Sequence, residues 1–309
     1  MTTWLVTGGA GFIGSHLCDA LLARGDRVRV LDDLSTGSRD NLPPAATLIV
    51  GDAADPTTIR AALDGIDGCF HLAAIASVER GVTDWLATHR TNLSATVGLF
   101  DAIRQTGRMV PVVYASSAAV YGDSPVVPIA EAADCRPLSA YGADKYGCEL
   151  HARVATHVHR IPTVGLRFFN VYGPRQDPRS PYSGVISIFC ERIRRGLPVT
   201  IFGDGGQTRD FIYVVDVVAA LMAAMSRQPP DAPVFNVCTG IPTTVARLAE
   251  IISTLSGAQP EIGFGAPRAG EIRHSRGDPA RARDTLGLSA PTPLTDGLTR
   301  VLDWMGTHP

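Results

Sequence analysis

A tyrosine and a lysine stand four residues apart in the segment Tyr141-Gly-Ala-Asp-Lys145. If the segment is helical, side chains at positions i and i+4 share one face, so the phenol and the ammonium group would be neighbours. A nearby cation stabilises phenolate and lowers the pKa of a tyrosine from its ordinary value of about 10 toward working pH. The pair therefore favours a general base, although surface Tyr–Lys pairs with this spacing are common in helices.

Two serines, Ser116 and Ser117, directly follow the apolar run Val110–Ala115, which reads as a strand. In open α/β sheets, ligands bind at the carboxyl ends of the strands, which is where this pair falls. A serine hydroxyl at that place can relay or share a proton with Tyr141. Two small turn residues after a strand would be the alternative interpretation, and the neighbouring Tyr/Lys segment favours the functional one.

Three glycines, Gly8, Gly11 and Gly14, connect the apolar run Trp4–Thr7 to a helical pattern over Ser15–Arg24. In dinucleotide-binding proteins the first glycine permits a tight turn, the second lets a pyrophosphate approach the backbone, and the third allows close helix–strand packing. The free N–H groups at the helix N-terminus then face the phosphates. A glycine triplet alone could be an ordinary loop, so the next strand decides the interpretation.

That next strand, Arg27–Leu31, ends in Asp32, with Asp33 beside it. A carboxylate about 20 residues past the glycine turn is placed to accept both ribose hydroxyls of NAD. The two acidic side chains would repel a 2′-phosphate, so we expect NAD over NADP. With NAD in place, Lys145 could also hold the nicotinamide ribose.

Asp52 follows a third strand, Thr47–Val50. It could hydrogen-bond an adenine amino group, or it could equally be a helix N-cap or turn aspartate. The sequence leaves both interpretations open.

These candidate residues lie among alternating strands and helices, a pattern that predicts a doubly wound parallel α/β sheet covered on both faces. From Asn170 onward proline and glycine are denser. We therefore predict a dinucleotide-binding domain over 1–169 and a smaller, interleaved substrate-side region over 170–309, with about 206–240 returning to the first domain. Further strands are predicted at Gly68–Ala74 and Thr163–Phe169, and helices at Pro56–Leu63, Val82–Thr106, Ala140–Arg160, Val185–Arg195 and Thr244–Leu255.

The composition excludes several classes of protein. The chain has 309 residues, of which 45% are hydrophobic, enough for a sizeable core. Its net charge of −2 gives no reason to expect nucleic acid or an acidic membrane surface as a partner. No run approaches the ~18 apolar residues of a membrane span, and the N-terminus runs directly into the first strand.

The six cysteines are scattered without a C-x-x-C pair, which is typical of reduced thiols and predicts a cytoplasmic protein. Three histidines, His151, His157 and His159, lie close together on one predicted helix. The i, i+2 pair points to different faces, so we interpret them as a solvated helix end and predict no metal site.

A series of motifs runs in order through nearly the whole chain: VTGGAGFIGSH, LDDLSTG, GDAAD, HLAA, SSAAVYG, YGADK, RFFNVYGPRQDP, FGDGGQTRDFIYVVDV and PRAGEIRHSRGD. On these motifs the chain resembles the extended short-chain dehydrogenase/reductase family, and most of all its nucleotide-sugar 4-epimerases of the UDP-glucose type. The resemblance implies a Rossmann-type fold with bound NAD. It also implies reversible C4 epimerisation of UDP-hexoses through a transient 4-keto sugar.

The resemblance assigns a role to many residues. It implies Tyr141 as the base, Lys145 as its partner and Ser117 as the hydroxyl beside them. On the substrate side it implies that Asn170, Arg209 and Arg268 hold the diphosphate and Glu271 the uridine ribose; without it, the two arginines would be read as surface residues. NAD contacts are implied for Gly8, Gly11, Phe12, Ile13, Asp32, Asp33, Asp52, Ala53, Leu72, Ala73, Ala74, Asn92, Tyr141 and Lys145.

Two further expectations come from the resemblance. Ser275 stands four residues past Glu271, where relatives place a wall near the C2 substituent of the sugar. A serine there leaves room for an acetamido group, which implies activity on UDP-GlcNAc and UDP-GalNAc as well as on UDP-glucose and UDP-galactose.

The second expectation is a homodimer. Relatives pair as homodimers through two helices, here about 82–106 and 140–160. The apolar positions Leu93, Val97, Leu150 and Val154 could meet across that interface.

The chain departs from the family pattern at two positions. Asp144 stands where many relatives have serine and adds a negative charge near Lys145; its side chain could point to solvent, or it could affect the pKa of Tyr141. Ala76 replaces a lysine that lies near the cofactor phosphates in some relatives, so that contact is absent or comes from another residue.

Three alternative functions differ in the residues that they require. A nucleotide-sugar 4,6-dehydratase needs an acid/base pair where this chain has Ala118 and Ala119. A UDP-glucuronic acid 4-epimerase would use Arg175 and Arg179 for the carboxylate, although Asp177 between them would repel one. A catalytically inactive NAD- or sugar-sensing module is disfavoured by the intact serine, tyrosine and lysine.

Overall fold

The computed structural model describes residues 1–178, 184–268 and 272–308, except for the side chains of Val78 and Glu79. Within these residues it has twelve strands and eleven α-helices. The strands are β1 (Thr3–Thr7), β2 (Arg27–Asp32), β3 (Thr47–Val50), β4 (Gly68–His71), β5 (Val112–Ser117), β6 (Thr163–Phe168), β7 (Asn170–Tyr172), β8 (Val199–Phe202), β9 (Thr208–Tyr213), β10 (Val234–Val237), β11 (Pro242–Thr244) and β12 (Ile262–Gly265). The helices are α1 (Phe12–Ala23), α2 (Pro56–Ala62), α3 (Val78–Thr83), α4 (Trp85–His89), α5 (Ala95–Thr106), α6 (Ala140–His159), α7 (Val185–Arg194), α8 (Val214–Arg227), α9 (Val245–Ser256), α10 (Ala280–Leu286) and α11 (Leu294–Thr307).

A seven-stranded sheet in the order β10-β6-β5-β4-β1-β2-β3 forms the centre of the fold. All its strand pairs are parallel. One buried cluster lies between the sheet and α1, α8 and α10, and a second lies between the opposite face and α2, α5 and α6. Strands buried on both faces require apolar side chains in both directions, which explains the continuous apolar runs. The predicted doubly wound parallel sheet is confirmed.

The second half builds two small sheets beside the large one. Strand β9 lies between β7, which is parallel to it, and β11, which is antiparallel, while β12 pairs with β8. Helices α7, α9 and α11 enclose a third core cluster with these strands. After β9 the chain returns to the central sheet through α8 and β10, so the two regions interleave; their division at residue 170 stays a prediction.

The predicted long helix over Val82–Thr106 is broken in the structure. Asp84 leaves the helical conformation with φ −142° and ψ 66°, which separates α3 from α4. A π-helical turn, Arg90–Ser94, then joins α4 to α5. The π-helical turn carries the buried Asn92, and such turns often occur at functional sites. Among the described residues no helix is long and apolar enough to cross a membrane.

Candidate active site

The tyrosine and the lysine lie at the start of α6. Ser139 caps this helix by accepting a hydrogen bond from the Gly142 amide at 3.0 Å. The ammonium nitrogen of Lys145 lies 5.9 Å from the centre of the Tyr141 ring. It also donates a hydrogen bond to the carbonyl of Ala115 on β5 at 3.0 Å. The lysine is buried and Tyr141 is half-buried. The structure therefore places a cation next to a partly accessible phenol at the carboxyl end of β5.

Ser117 is the last residue of β5 and is half-buried. Its hydroxyl oxygen accepts a hydrogen bond from the Ala119 amide at 3.2 Å, so the hydroxyl proton remains available for donation. The start of α6 packs closely on the turn that follows β5, since a Cβ at Gly142 would lie 2.6 Å from the carbonyl oxygen of Ala119. This close approach brings Ser117 to the same strand end as Tyr141 and Lys145.

The glycine turn has the geometry of a phosphate-binding loop. Gly8 has a φ of +71°, in the left-handed region that favours glycine. A Cβ at Gly14 would lie 2.2 Å from the carbonyl oxygen of Gly8, so only glycine permits this packing of α1 on the turn. Gly11 begins α1 without a side-chain cap. The first amides of α1, including those of Phe12 and Ile13, therefore lack a capping side chain and can serve an anion.

Asp32 is directed toward the glycine turn by two backbone amides. Its carboxylate oxygens accept hydrogen bonds from the amides of Ala10 and Leu34, each at 2.9 Å. Burial raises the pKa of this carboxyl, while the two amide hydrogen bonds oppose that effect. Each oxygen retains a lone pair, so the group fits a ribose diol. Asp33 is exposed and instead holds the amide and hydroxyl of Ser35.

Asp52 forms a local turn. One carboxylate oxygen accepts a hydrogen bond from the Ala54 amide at 2.7 Å, and the other pairs with Arg90 at 2.7 Å. The N-cap of helix α2 is Asp55, whose carboxylate accepts a hydrogen bond from the Thr58 amide. Of the sequence alternatives, the N-cap role is therefore wrong for Asp52. A contact of Asp52 or its buried neighbour Ala53 with adenine stays a prediction.

The segment after β4 is fixed by buried polar side chains. Strand β4 ends at His71, three residues earlier than predicted, so Leu72, Ala73 and Ala74 lie in irregular backbone. Asn92 clamps the following residue: its side chain accepts from the amide and donates to the carbonyl of Ile75 at 2.8 and 3.2 Å. The amide of Asn92 is thus largely used within the protein, and its contact with NAD stays a prediction.

His71, at the end of β4, is a residue to which the sequence analysis assigned no role. Its ring lies between the hydroxyls of Thr7 and Thr96 at 2.8 and 3.1 Å. Burial, and secondarily the charge of Lys145, lowers the pKa of this histidine to about 3. The ring is therefore neutral at working pH and joins β4 to β1 and α5. The motif HLAA was the only signal for it.

Ala76 borders a cleft of about 580 Å³ that also reaches Gly11 and Phe12. Four arginines, Arg80, Arg175, Arg194 and Arg195, line the same cleft together with Asp177 and Glu191. Arg175 is paired with Asp19 of α1 at 2.7 Å. The missing lysine at position 76 thus leaves a cleft that still carries positive charge, while Arg179 lies outside the described residues.

Three of the predicted substrate residues lie around β7 and β9. Asn170 begins β7 and is paired in register with Phe211 of β9, two residues beyond Arg209. Ser275 lies beside the same strand, since its amide donates to the carbonyl of Thr208 at 3.1 Å. The structure therefore brings Asn170, Arg209 and Ser275 to one region. Glu271 lies outside the described residues.

A second cleft, of about 560 Å³, lies between β8, β12 and the loops that follow them. Its floor carries Phe202, whose ring lies 4.3 Å from the guanidinium carbon of Arg268. On its edge, Arg273 forms two hydrogen bonds with Asp204, at 2.7 and 2.8 Å, that hold the pKa of this carboxyl well below its usual range. Sequence reasoning missed Phe202, although an exposed aromatic in the alternating strand Val-Thr-Ile-Phe is a recognisable signal.

Of the two alternatives for Asp144, the one in which its side chain points to solvent is wrong. The residue is 4% exposed, and one carboxylate oxygen lies 2.8 Å from Nδ1 of His89 on α4. Helices α4 and α6 pack against each other, so position 144 faces α4 rather than water. The histidines His151, His157 and His159 are exposed on α6. Across the ranges that the structure covers, no three metal-ligating side chains come together.

Comparisons with known proteins agree with this geometry. Residues 4–238 match the NAD dependent epimerase/dehydratase family. The UDP-glucose 4-epimerase of Mycolicibacterium smegmatis is 38% identical over 306 residues, which cover 97% of each chain. The crystal structure of a UDP-glucose 4-epimerase from Thermotoga maritima with UDP-glucose has a TM-score of 0.95 at 36% identity, covering 99% of each chain. A UDP-N-acetylglucosamine 4-epimerase from Methanobrevibacter ruminantium, in complex with UDP-N-acetylmuramic acid, has a TM-score of 0.94 at 35% identity, covering 100% of this chain and 99% of the other.

Proposed function

The chain belongs to the NAD dependent epimerase/dehydratase family, and we propose that it is an NAD-dependent UDP-sugar 4-epimerase. The observation that carries the proposal is the position of Lys145, which lies next to Tyr141 and donates to the carbonyl of Ala115, two residues before Ser117 on β5. This strand end lies in the same sheet as the glycine turn after β1. The similar proteins named above are themselves UDP-sugar 4-epimerases.

The glycine turn and Asp32 fit a dinucleotide. The packing of Gly14 on Gly8 leaves no room for a side chain, α1 begins without a side-chain cap, and the Asp32 carboxylate is directed at the turn. Gly8, Gly11, Phe12, Ile13 and Asp32 would hold the cofactor, with Asp33, Asp52, Ala53, Leu72, Ala73, Ala74, Asn92, Tyr141 and Lys145 completing its site. When bound there, NAD would supply the acceptor for the C4 hydride and the donor that returns it to the opposite face of the 4-keto sugar.

The chain's own side chains move the proton. Tyr141 takes the proton from the O4 hydroxyl as the C4 hydride leaves, and it returns a proton to O4 after the sugar has turned over. Lys145 stabilises the phenolate electrostatically. Ser117 donates a hydrogen bond to the same oxygen. Acid, base and hydroxyl thus act on one atom.

The substrate is held by its nucleotide, which lets the sugar rotate. Asn170 and Arg209 are proposed to bind the diphosphate, since a guanidinium fork suits phosphate oxygens. Arg268 is proposed to bind it from the second cleft, and Glu271 to bind the uridine ribose. The small side chain of Ser275 supports turnover of N-acetylated hexosamines in addition to UDP-glucose and UDP-galactose.

Two alternatives are less well supported. Ala118 and Ala119 follow Ser117 in a short 3-10 turn, where a dehydratase would need proton-transferring groups. For a UDP-glucuronic acid 4-epimerase, Arg175 would have to reach the sugar carboxylate, yet its guanidinium already pairs with Asp19.

We also propose a homodimer and a cytoplasmic location. Leu150 and Val154 are 47% and 48% exposed on α6, and Trp85 on the neighbouring α4 is 68% exposed. Apolar side chains this exposed on two packed helices are typical of an interface. The six unpaired cysteines suit a reducing compartment.

The test is a panel of UDP-sugars incubated with purified protein without added cofactor. We expect interconversion of UDP-glucose with UDP-galactose, because the cofactor is regenerated in each cycle and stays bound. Turnover of UDP-glucuronic acid alone would favour the alternative epimerase, and no turnover of any UDP-sugar would contradict the proposal.

A further inference from the structure

A buried ion pair lies directly beneath the candidate active site. The carboxylate of Glu149 on α6 accepts two hydrogen bonds from the guanidinium of Arg167 on β6, at 2.6 and 2.8 Å. Both side chains are almost fully buried, with 4% and 6% exposed. The hydroxyl of Ser116 on β5 donates to the same carboxylate at 2.5 Å. The pair therefore joins one helix to two strands.

The network continues past Arg167. Its guanidinium donates to the phenol oxygen of Tyr121 at 2.7 Å and lies 4.7 Å from the centre of that ring. Tyr121 in turn donates to the side-chain oxygen of Asn236 on β10 at 2.6 Å. The network thus includes the turn after Ser117 and the neighbouring strand of the sheet.

Stability alone does not explain this arrangement. Burial disfavours the charge of Arg167, whereas the hydrogen bonds and negative charge of Glu149, and secondarily Tyr121, raise its pKa. Replacing such a buried pair by well-packed apolar residues is often neutral or stabilising. What the charged pair provides is direction, because hydrogen bonds weaken steeply with angle and apolar contacts do not.

The network lies next to the candidate catalytic residues on both β5 and α6. Ser116 directly precedes Ser117 and is paired in register with Arg167 across β5 and β6. Glu149 lies one helical turn beyond Lys145 on the buried side of α6. A carboxylate anchored to both strands at that point fixes the rotation and the axial position of α6.

We propose that Glu149, held by Arg167, is a positioning residue that sets Tyr141 and Lys145 against Ser117. The proposal rests on the proposed epimerase function for its kinetic consequences. The carboxylate of Glu149 bonds Ser116 and Arg167, and neither of these is among the proposed substrate or cofactor residues. Its role is to keep α6 at the distance and rotation at which base and hydroxyl meet one sugar oxygen.

The test compares Glu149→Gln with the wild type in steady-state kinetics on UDP-galactose. Since a displacement of about 1 Å can cost 10²-fold in rate, we expect kcat to fall by about 10- to 100-fold. The KM should change less than about threefold, because the proposed nucleotide-binding residues lie on β7, β9 and the 268–275 segment, outside this network. A kcat within twofold of wild type in the folded variant would overturn the proposal.

A double-mutant cycle with Ser117→Ala separates positioning from general damage. If Glu149 acts by setting the geometry around Ser117, the two losses in kcat overlap, and the double variant is less impaired than their product. Fully multiplicative losses would overturn the proposal. Ile59→Ala on α2, a buried apolar position at the other end of the sheet, is the control that lowers stability and should leave kcat within about twofold.

Two further measurements keep the proposal testable. If Glu149→Gln does not fold, the apolar double variant Glu149→Leu/Arg167→Met leaves no unpaired buried charge and should fold. This double variant should also have a lower kcat, and wild-type turnover in it would overturn the proposal.

Hydrogen exchange over residues 140–148 should accelerate in the network variants and stay unchanged in Ile59→Ala. That measurement does not depend on turnover, so an inactive wild type would contradict the epimerase function while exchange still decides the positioning role.

Discussion

His89 Nδ1 lies 2.8 Å from a carboxylate oxygen of Asp144, the residue directly before Lys145. Asp144 is 4% exposed, whereas the side chain of His89 is 43% exposed. Among the described residues, the second carboxylate oxygen of Asp144 is buried without a hydrogen-bond partner. The acidic side chain beside the lysine is therefore held by one histidine, which gives α4 a direct connection to the first turns of α6.

Removing that histidine should destabilise the protein. His89→Ala leaves the buried Asp144 carboxylate without its donor, which costs about 1–3 kcal/mol of unfolding free energy. His89→Asn retains an N–H donor and should lose less. Urea denaturation measures both variants. His151→Ala, an exposed histidine on α6, is the control, and an equal effect at His151 would show that the Asp144 contact contributes nothing.

Tyr141→Phe tests the base. The change removes the proton acceptor and little volume, so kcat should fall by about 10²-fold or more. The affinity for UDP, measured by calorimetry, should be retained. Weakened binding at an unaltered kcat would instead make Tyr141 a structural residue.

Asp32 predicts that the bound cofactor is NAD rather than NADP. Acid or heat denaturation of the purified protein should release NAD(H), which enzymatic cycling assays detect at close to one equivalent per chain. The Asp32 carboxylate and the nearby Asp33 would repel a 2′-phosphate. Recovery of mainly NADP(H) would contradict this assignment.

Ser275→Tyr tests the specificity for the C2 substituent. The wild type should act on both UDP-glucose and UDP-GlcNAc, because serine leaves room beside the sugar. A phenol ring at this position should abolish turnover of UDP-GlcNAc and spare that of UDP-glucose. A wild type that ignores UDP-GlcNAc and UDP-GalNAc would show that neighbouring loops fill the space.

Val154→Asp tests the dimer. A carboxylate on the exposed apolar side of α6 should convert the dimer to a monomer, as measured by light scattering at micromolar concentration, because burying an unpaired charge is costly. Val215→Asp on α8 is the matched control, since Val215 is 47% exposed and Val154 is 48% exposed. A monomeric wild type would rule out the proposed interface.

The central sheet and its helices followed from local patterns. Six of its seven parallel strands are short apolar runs that periodicity identified, whereas β10 and the covering helices α8 and α10 were not predicted individually. The boundaries of several elements lie a few residues from the predicted ones. The clearest shift is the break at Asp84 within the predicted helix over 82–106.

By itself, the sequence determined the glycine turn, the acid at the end of β2 and the Tyr/Lys spacing, because each depends on neighbours in the chain. The tertiary structure alone decided that Asp144 faces His89, 55 residues away. It also decided that Ser116 meets Glu149, 33 residues away. It likewise brought Arg268 onto the ring of Phe202. The physical reason is that a buried polar group must find its partner in space, and which distant residue supplies that partner depends on how the helices pack on the sheet.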